Sequence, residues 1–155
     1  MPVGSFDLSN CDLKGDGLKH LSKLTGLREL NLTLTPVADD ALPHLATLTE
    51  LRMLGLASTK CTGTGFVHLQ GLQKLESVNF HFTPLNDDGL RAIAKLPITD
   101  RFWFAHTKFT DAIIYVITPL GKIIWAPGKD IGYINGKFGF GSAAGLINGN
   151  DPALQ

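Results

Sequence analysis

The sequence predicts an α/β solenoid: a curved horseshoe of stacked units with a parallel sheet on its concave face and helices on its convex face. Three observations predict it. Apolar residues recur at a fixed spacing of 24 through most of the chain. Each unit of that length joins a stretch of strand alternation to a stretch of helical spacing. A single unit of this kind cannot bury its own apolar side chains, so neighbours must stack, strand beside strand.

The strand opens each unit. Its first apolar column runs Val3, Leu27, Leu51 and Leu75; the second runs Phe6, Leu30, Leu54, Val78 and Phe102; the third runs Leu8, Leu32, Leu56, Phe80 and Phe104. Thr99 interrupts the first column and Ile98 stands one place early beside Pro97, so the fifth strand is expected to start irregularly. The turn out of the strand carries a small polar column, Cys11, Thr35, Thr59, Thr83 and Thr107, whose side chains can satisfy backbone groups exposed there. An apolar column follows at Leu13, Val37, Cys61, Leu85 and Phe109.

Helical columns complete the unit. They run Leu18, Leu42, Phe66, Leu90, Ile114; then Leu21, Leu45, Leu69, Ile93, Ile117; then Leu24, Leu48, Leu72, Leu96, Leu120. Asp39, Asp87 and Asp111 stand just ahead of them and are expected to cap the free amides of the first turn. Five units thus span residues 3–122. Strands repeat every ~4.8 Å whereas packed helices need ~8 to 10 Å, and this mismatch bends the stack with the strands inside the curve.

Residues 123–155 depart from the pattern. Ile123 fits the first strand column, but Ala126 and Gly128 are poor substitutes for the next two. The expectation is a degenerate sixth edge strand near Ile123 to Trp125. A hairpin around Asn135-Gly136 should follow, covering the last unit as a cap. At the other end Val3, Phe6 and Leu8 already belong to the first strand, which leaves an open edge. That end is expected either to continue in a longer repeat protein or to pair with another molecule, giving a homo-oligomer through Val3, Phe6 and Leu8.

The segment Leu27-Arg-Glu-Leu30-Asn-Leu32-Thr-Leu-Thr35-Pro-Val37-Ala-Asp39-Asp-Ala-Leu42 resembles the leucine-rich repeat family. With Cys or Thr where many members have Asn, it resembles the cysteine-containing subtype in a shortened 24-residue form seen in bacterial multi-repeat proteins. The resemblance covers residues 3–122. It implies a leucine-rich repeat solenoid whose usual task is protein recognition.

Composition narrows the function further. Fourteen basic residues balance fourteen acidic ones in 155 residues, so no summed field draws in a nucleic acid. No apolar run approaches the roughly 20 residues needed to span a bilayer, and Met1-Pro2-Val3-Gly4 lacks the character of a signal segment. A soluble chain, leaning to the cytoplasm, is expected. Cys11 and Cys61 lie two units and two columns apart, too far to bridge. His20, His44 and His68 share a column on the convex side, where ~8 to 10 Å between neighbours is too wide for one zinc. Gly139-Phe-Gly141-Ser-Ala-Ala-Gly145 has one residue too many for a dinucleotide loop. No cofactor, metal or catalytic group is expected.

The positions between the strand's apolar residues face the concave side. They read Ser5, Glu29, Met53, Ser77, Arg101; then Asp7, Asn31, Gly55, Asn79, Trp103; then Ser9, Thr33, Ala57, His81, Ala105. An exposed Trp beside an Arg is enriched where binding energy concentrates. Trp103, Arg101, His81 and Asn79, with Asn31 and Met53, are therefore the expected contacts for a protein partner. The competing expectation is that Trp103 packs under the C-terminal tail. A non-enzymatic binding module follows, with a structural segment acting through its open N-terminal end as the alternative.

Overall fold

A computed structural model describes residues 4–13, 15–93, 95, 96, 98, 101–103, 107, 108, 115–118, 121–124, 131–134 and 138–140. For residues 15, 101–103, 115–118, 121–124, 131–134 and 138–140 the description is of the backbone. Five short strands, β1 (Ser5–Asp7), β2 (Glu29–Asn31), β3 (Met53–Gly55), β4 (Ser77–Asn79) and β5 (Arg101–Trp103), form one parallel sheet in chain order. The register steps by 24 at each pairing: Phe6 lies opposite Leu30, Leu30 opposite Leu54, Leu54 opposite Val78, and Val78 opposite Phe102. The fold is thus a leucine-rich-repeat-type α/β solenoid, and its repeat is the one legible in the columns.

One backbone bond is copied along the stack. Leu8 donates its N–H to Asn31 O at 2.9 Å, Leu32 to Gly55 O at 2.8 Å, and Leu56 to Asn79 O at 2.9 Å. The next bond is copied too, from Asn10 to Thr33 O, Leu34 to Ala57 O and Ser58 to His81 O. Asn10, Leu34 and Ser58 make it with a positive φ, and Phe82 at the same place in the fourth unit shares that conformation, all four lying between 55 and 59°. The threonine column follows at once and is buried. Thr35, Thr59 and Thr83 donate their hydroxyls to the carbonyls of Leu32, Leu56 and Phe80 at 2.6, 2.7 and 2.8 Å.

The convex segments are tighter than the expected helices. η1 (Gly15–Lys23), η2 (Asp39–Leu45) and η3 (Thr64–Leu69) are 3-10 helices, and α1 (Asp87–Ile93) is an α-helix. The cause lies in the spacing. Leu18, Leu21 and Leu24 are three apart, and a helix of three residues per turn stacks them on one line. Bonds of that span recur from Leu24 to Leu21 O, Leu48 to Leu45 O, Leu72 to Leu69 O, and Leu96 to Ile93 O. Pro43 within η2 also has no N–H to give an α-turn. A close-packed column holds the segments together. A Cβ on Gly65 would lie 2.6 Å from Asp39 O, and one on Gly89 would run into Thr62 O.

Between the two layers the leucine columns fill the core. Leu27, Leu51 and Leu75 are fully buried, as are Leu42, Leu45, Leu48, Phe66, Leu69 and Leu72. Phe66 and Phe80 tilt against each other with ring centroids 5.3 Å apart. Ile98 is buried as well, so the apolar residue displaced beside Pro97 does reach the core. The first unit is covered on one side alone: Phe6, Leu8, Leu13 and Leu24 are partly buried where their counterparts further along are closed off.

After β5 the chain leaves the pattern earlier than its columns suggest. The fifth unit was expected to continue with Ile114, Ile117 and Leu120 on the convex side, but Tyr115–Thr118 is a strand, β6, which pairs antiparallel with β7 (Gly121–Ile124). The run Ile113-Ile114-Tyr115-Val116-Ile117-Thr118 is rich in β-branched and aromatic residues, which favour a pleated chain over a helix. Ile123 accordingly pairs with Val116 and not with β5 as a sixth parallel strand. β8 (Ile131–Ile134) and β9 (Phe138–Phe140) form a second antiparallel pair with Ile134 opposite Phe138. The turn expected at Asn135-Gly136 lies outside the described residues. β8 runs close to β5. Trp125, Asp111, Phe109, Ile114 and Leu120 lie outside the described residues.

Candidate functional site

The strand face carries a hollow of about 410 Å³. Its rim and floor come from β1 to β4: Ser5 and Asp7, Glu29 and Asn31, Met53 and Gly55, Ser77 and Asn79, with Thr33 at the strand exit. Alternation produces this lining, because Leu30, Leu54 and Val78 point into the core and free their neighbours for the face. Sheet register then sets Ser5, Glu29, Met53 and Ser77 in one row, and Asp7, Asn31, Gly55 and Asn79 in the next.

The second row is built of side chains that bond their own backbone. Asp7 Oδ1 accepts from the N–H of Ser9 at 2.8 Å, Asn31 Oδ1 from Thr33 at 3.1 Å, and Asn79 Oδ1 from His81 at 2.9 Å. Each is an Asx turn that shapes the strand exit. The Ser9 N–H, then the Ser9 hydroxyl and the Asn31 carboxamide hold the Asp7 carboxyl below its ordinary value, with burial pulling the other way. Gly55 interrupts the row between Asn31 and Asn79. A Cβ at residue 55 would sit 2.8 Å from Asn31 Oδ1 and 3.4 Å from Thr33 Oγ1.

Beside the hollow, ion pairs link successive units. Arg52 meets Glu76 at 2.8 Å and Lys74 meets Glu50 at 2.6 Å, all four side chains being substantially exposed. The Lys74 ammonium holds the Glu50 carboxyl below its ordinary value. Exposed pairs of this kind add little to stability, so they are stack trimmings.

Of the expected contacts, Asn31, Met53 and Asn79 line one hollow, and Met53 is 42% exposed at its centre. His81 stands just past β4, outside the lining, with its ring 6.3 Å from the exposed Phe82. The backbone of Arg101 and Trp103 continues the two rows beside Ser77 and Asn79, while their side chains lie outside the described residues, as does Val3. Phe6 and Leu8 stand together at the N-terminal end, away from the hollow. Ranking by aromatic and cationic character passed over Gly55, Asp7, Glu29 and Ser77. The signal for Gly55 was present in the same columns: a glycine between two asparagines in a row that runs Asp7, Asn31, Gly55, Asn79, Trp103.

Elsewhere, Cys11 is exposed and Cys61 buried, both free thiols. Among the described residues no three His, Cys, Asp or Glu side chains gather as a metal ion would require, and no helix is long and apolar enough to cross a membrane.

No family model matches the chain, and no curated protein matches it. Among solved structures, an internalin (inlF) from Listeria monocytogenes str. 4b F2365 is similar at 22% identity with a TM-score of 0.49. The match covers 70% of this chain and 36% of the internalin chain. The fold stands on the chain's own register and bonds, described above.

Proposed function

We propose that the chain is a non-enzymatic protein-binding module that receives its partner on the strand face. The supporting observation is the hollow over β1 to β4, where an exposed Met53 lies among hydrogen-bonding groups on a rigid sheet. Rigid sheet positions lose little freedom on binding, and an apolar centre within a polar rim is the usual anatomy of a protein interface. Asn31, Met53 and Asn79 are the contacts the hollow favours. Arg101 and Trp103 extend the face along β5, and His81 flanks it. The units would be shortened relatives of the cysteine-containing subtype, with threonine at the buried turn. A photo-crosslinking residue at Met53, compared with one at the exposed convex Val67, tests this in native extract. Discrete protein adducts from residue 53 and none from residue 67 are expected; equal labelling from both faces would defeat the proposal.

The first unit supports a second function, stacking through the N-terminal end. Phe6, Leu8, Leu13 and Leu24 keep partial exposure that the same columns lose in later units, and the outer edge of β1 has no strand beside it in the five-stranded sheet. Another repeat, in the same polypeptide or in a second copy, would cover both. Sedimentation of the chain against Leu8→Glu checks it: a dimer reduced to a monomer is the expected result.

A further inference from the structure

The Asx row leaves one gap of defined chemistry. In Asn31 the carboxamide oxygen is turned to its own Thr33 N–H, so the NH2 must lie on the opposite side of the group, toward Asp7 of the preceding unit. The lowered carboxyl of Asp7 agrees with that placement, since Asn31 contributes to it and only an N–H could do so. Asn79 makes the same turn with His81, and the 24-residue translation therefore aims its NH2 at residue 55. There the row holds glycine. Residue 55 offers no side-chain acceptor to Asn79, and Asn31 Oδ1 and Thr33 Oγ1 border the same place from the other side, 2.8 and 3.4 Å from where a Cβ would stand.

Two strand spacings separate Asn31 from Asn79, roughly 9 to 10 Å. That is the spacing of the two backbones, and it leaves room between the two side chains for one planar amide hydrogen-bonded at about 3 Å to each. Its occupant needs a donor toward Asn31 Oδ1 and an acceptor toward Asn79 Nδ2. A carboxylate supplies no donor and would also meet Glu29 and Asp7 in the same hollow. An ammonium supplies no acceptor and would face an NH2. A carboxamide supplies both.

We infer that the gap at Gly55 is a slot for the side-chain carboxamide of an Asn or Gln on the partner protein, which completes the interrupted row. The aliphatic stem of that residue would lie across Met53. This rests on the strand-face function proposed above and adds the chemistry of its central contact.

The test is an NMR titration of the full chain with N-acetyl-glutamine N-methylamide, set against the matching glutamate and norleucine compounds. The glutamine probe is expected to shift the Gly55 backbone amide and the Asn79 side-chain NH2. The other two should bind on the order of tenfold more weakly, since a site built around a hydrogen-bonding pair rejects groups that leave it unpaired. Asn79→Asp keeps an oxygen for the His81 turn, as Asp7 does for Ser9, and removes the donor; it should abolish the preference while the remaining spectrum stays in place. Gly55→Asn fills the slot and should abolish the response altogether. Equal shifts from all three probes, no shift at these groups, or a preference that survives Asn79→Asp would overturn the slot. Crosslinking from residue 53 that persists in any of those cases would leave the strand-face function standing without it, and a glutamine-specific response without crosslinking would do the reverse.

Discussion

Burial pushes the Cys61 thiol up to about 12, with the Thr59 side chain pulling it down and Asp39 and Asp40 adding to the rise. The folded chain therefore favours the neutral thiol. Its contribution is whole below the ordinary thiol value of 9.0 and is lost as pH rises through about 12. Within that window stability should fall by about 1.4 kcal/mol per pH unit through this one group. Urea unfolding at mildly and strongly alkaline pH checks it: Cys61→Val should flatten the decline, and parallel declines in both chains would assign the loss to another group. At the strand exit, Leu34 holds a φ of 59° while 58% exposed. A branched side chain in the left-handed region costs about 1 to 2 kcal/mol, and Asn tolerates it better; Asn10 already occupies the same place in the first unit. Leu34→Asn should raise the urea midpoint by an amount equivalent to roughly 0.5 to 1 kcal/mol. A lower midpoint would mean that Leu34 contributes packing its exposure conceals.

Among the elements, the convex segments are where residue type and role parted. Asp39 was expected to cap its own helix, yet residue 38 is the N-cap position of η2 and makes no side-chain cap. The Asp39 carboxylate reaches into the next unit, accepting from the Thr62 N–H at 2.7 Å, the Thr62 hydroxyl at 2.7 Å and the Gly65 N–H at 2.9 Å. It therefore caps η3 from outside. In α1 the cap is Asn86, one residue ahead of Asp87, with its oxygen on the Gly89 N–H at 2.9 Å. Asp39→Ala leaves three donors to find water, so about 2 to 3 kcal/mol should be lost. Asp39→Asn should lose about half as much, both read from thermal or urea melts; a neutral Asp39→Ala would show the bridge to be idle. The strand columns were legible because a parallel sheet of stacked units repeats its register at a fixed interval, here 24 at every pairing. The direction of an Asp side chain was not, because a carboxylate at a segment start serves its own turn or its neighbour's with the same sequence around it. The antiparallel β6 was hidden for a different reason: Ile114 and Ile117 fit the convex spacing, and the β-branched run between them decides against it.

At the scale of the whole molecule, the stack is closed on one flank of each unit by the next. In the first unit Phe6, Leu8, Leu13 and Leu24 are less covered than their counterparts further along. Solenoid stability is a sum over units and their interfaces, so native-state hydrogen exchange should be fastest in the first unit and slowest in the second and third. The Leu24 amide, bonded to Leu21 O, is the first unit's reporter against Leu48 and Leu72, bonded to Leu45 O and Leu69 O in the second and third. Uniform exchange along these pairs would show the stack to open as one body. The hollow was only half legible at this scale: the columns named every residue in it, but which stretch of the face is concave depends on side-chain size and direction across four strands, which the columns do not carry. The unbroken offset of 24 in the sheet also bears on how such a chain can change over generations. An in-frame duplication of one unit would arrive with its register, its buried threonine and its leucines already matched to both neighbours. Were the duplicated unit the third, a second glycine would come with it, one stride along the same face.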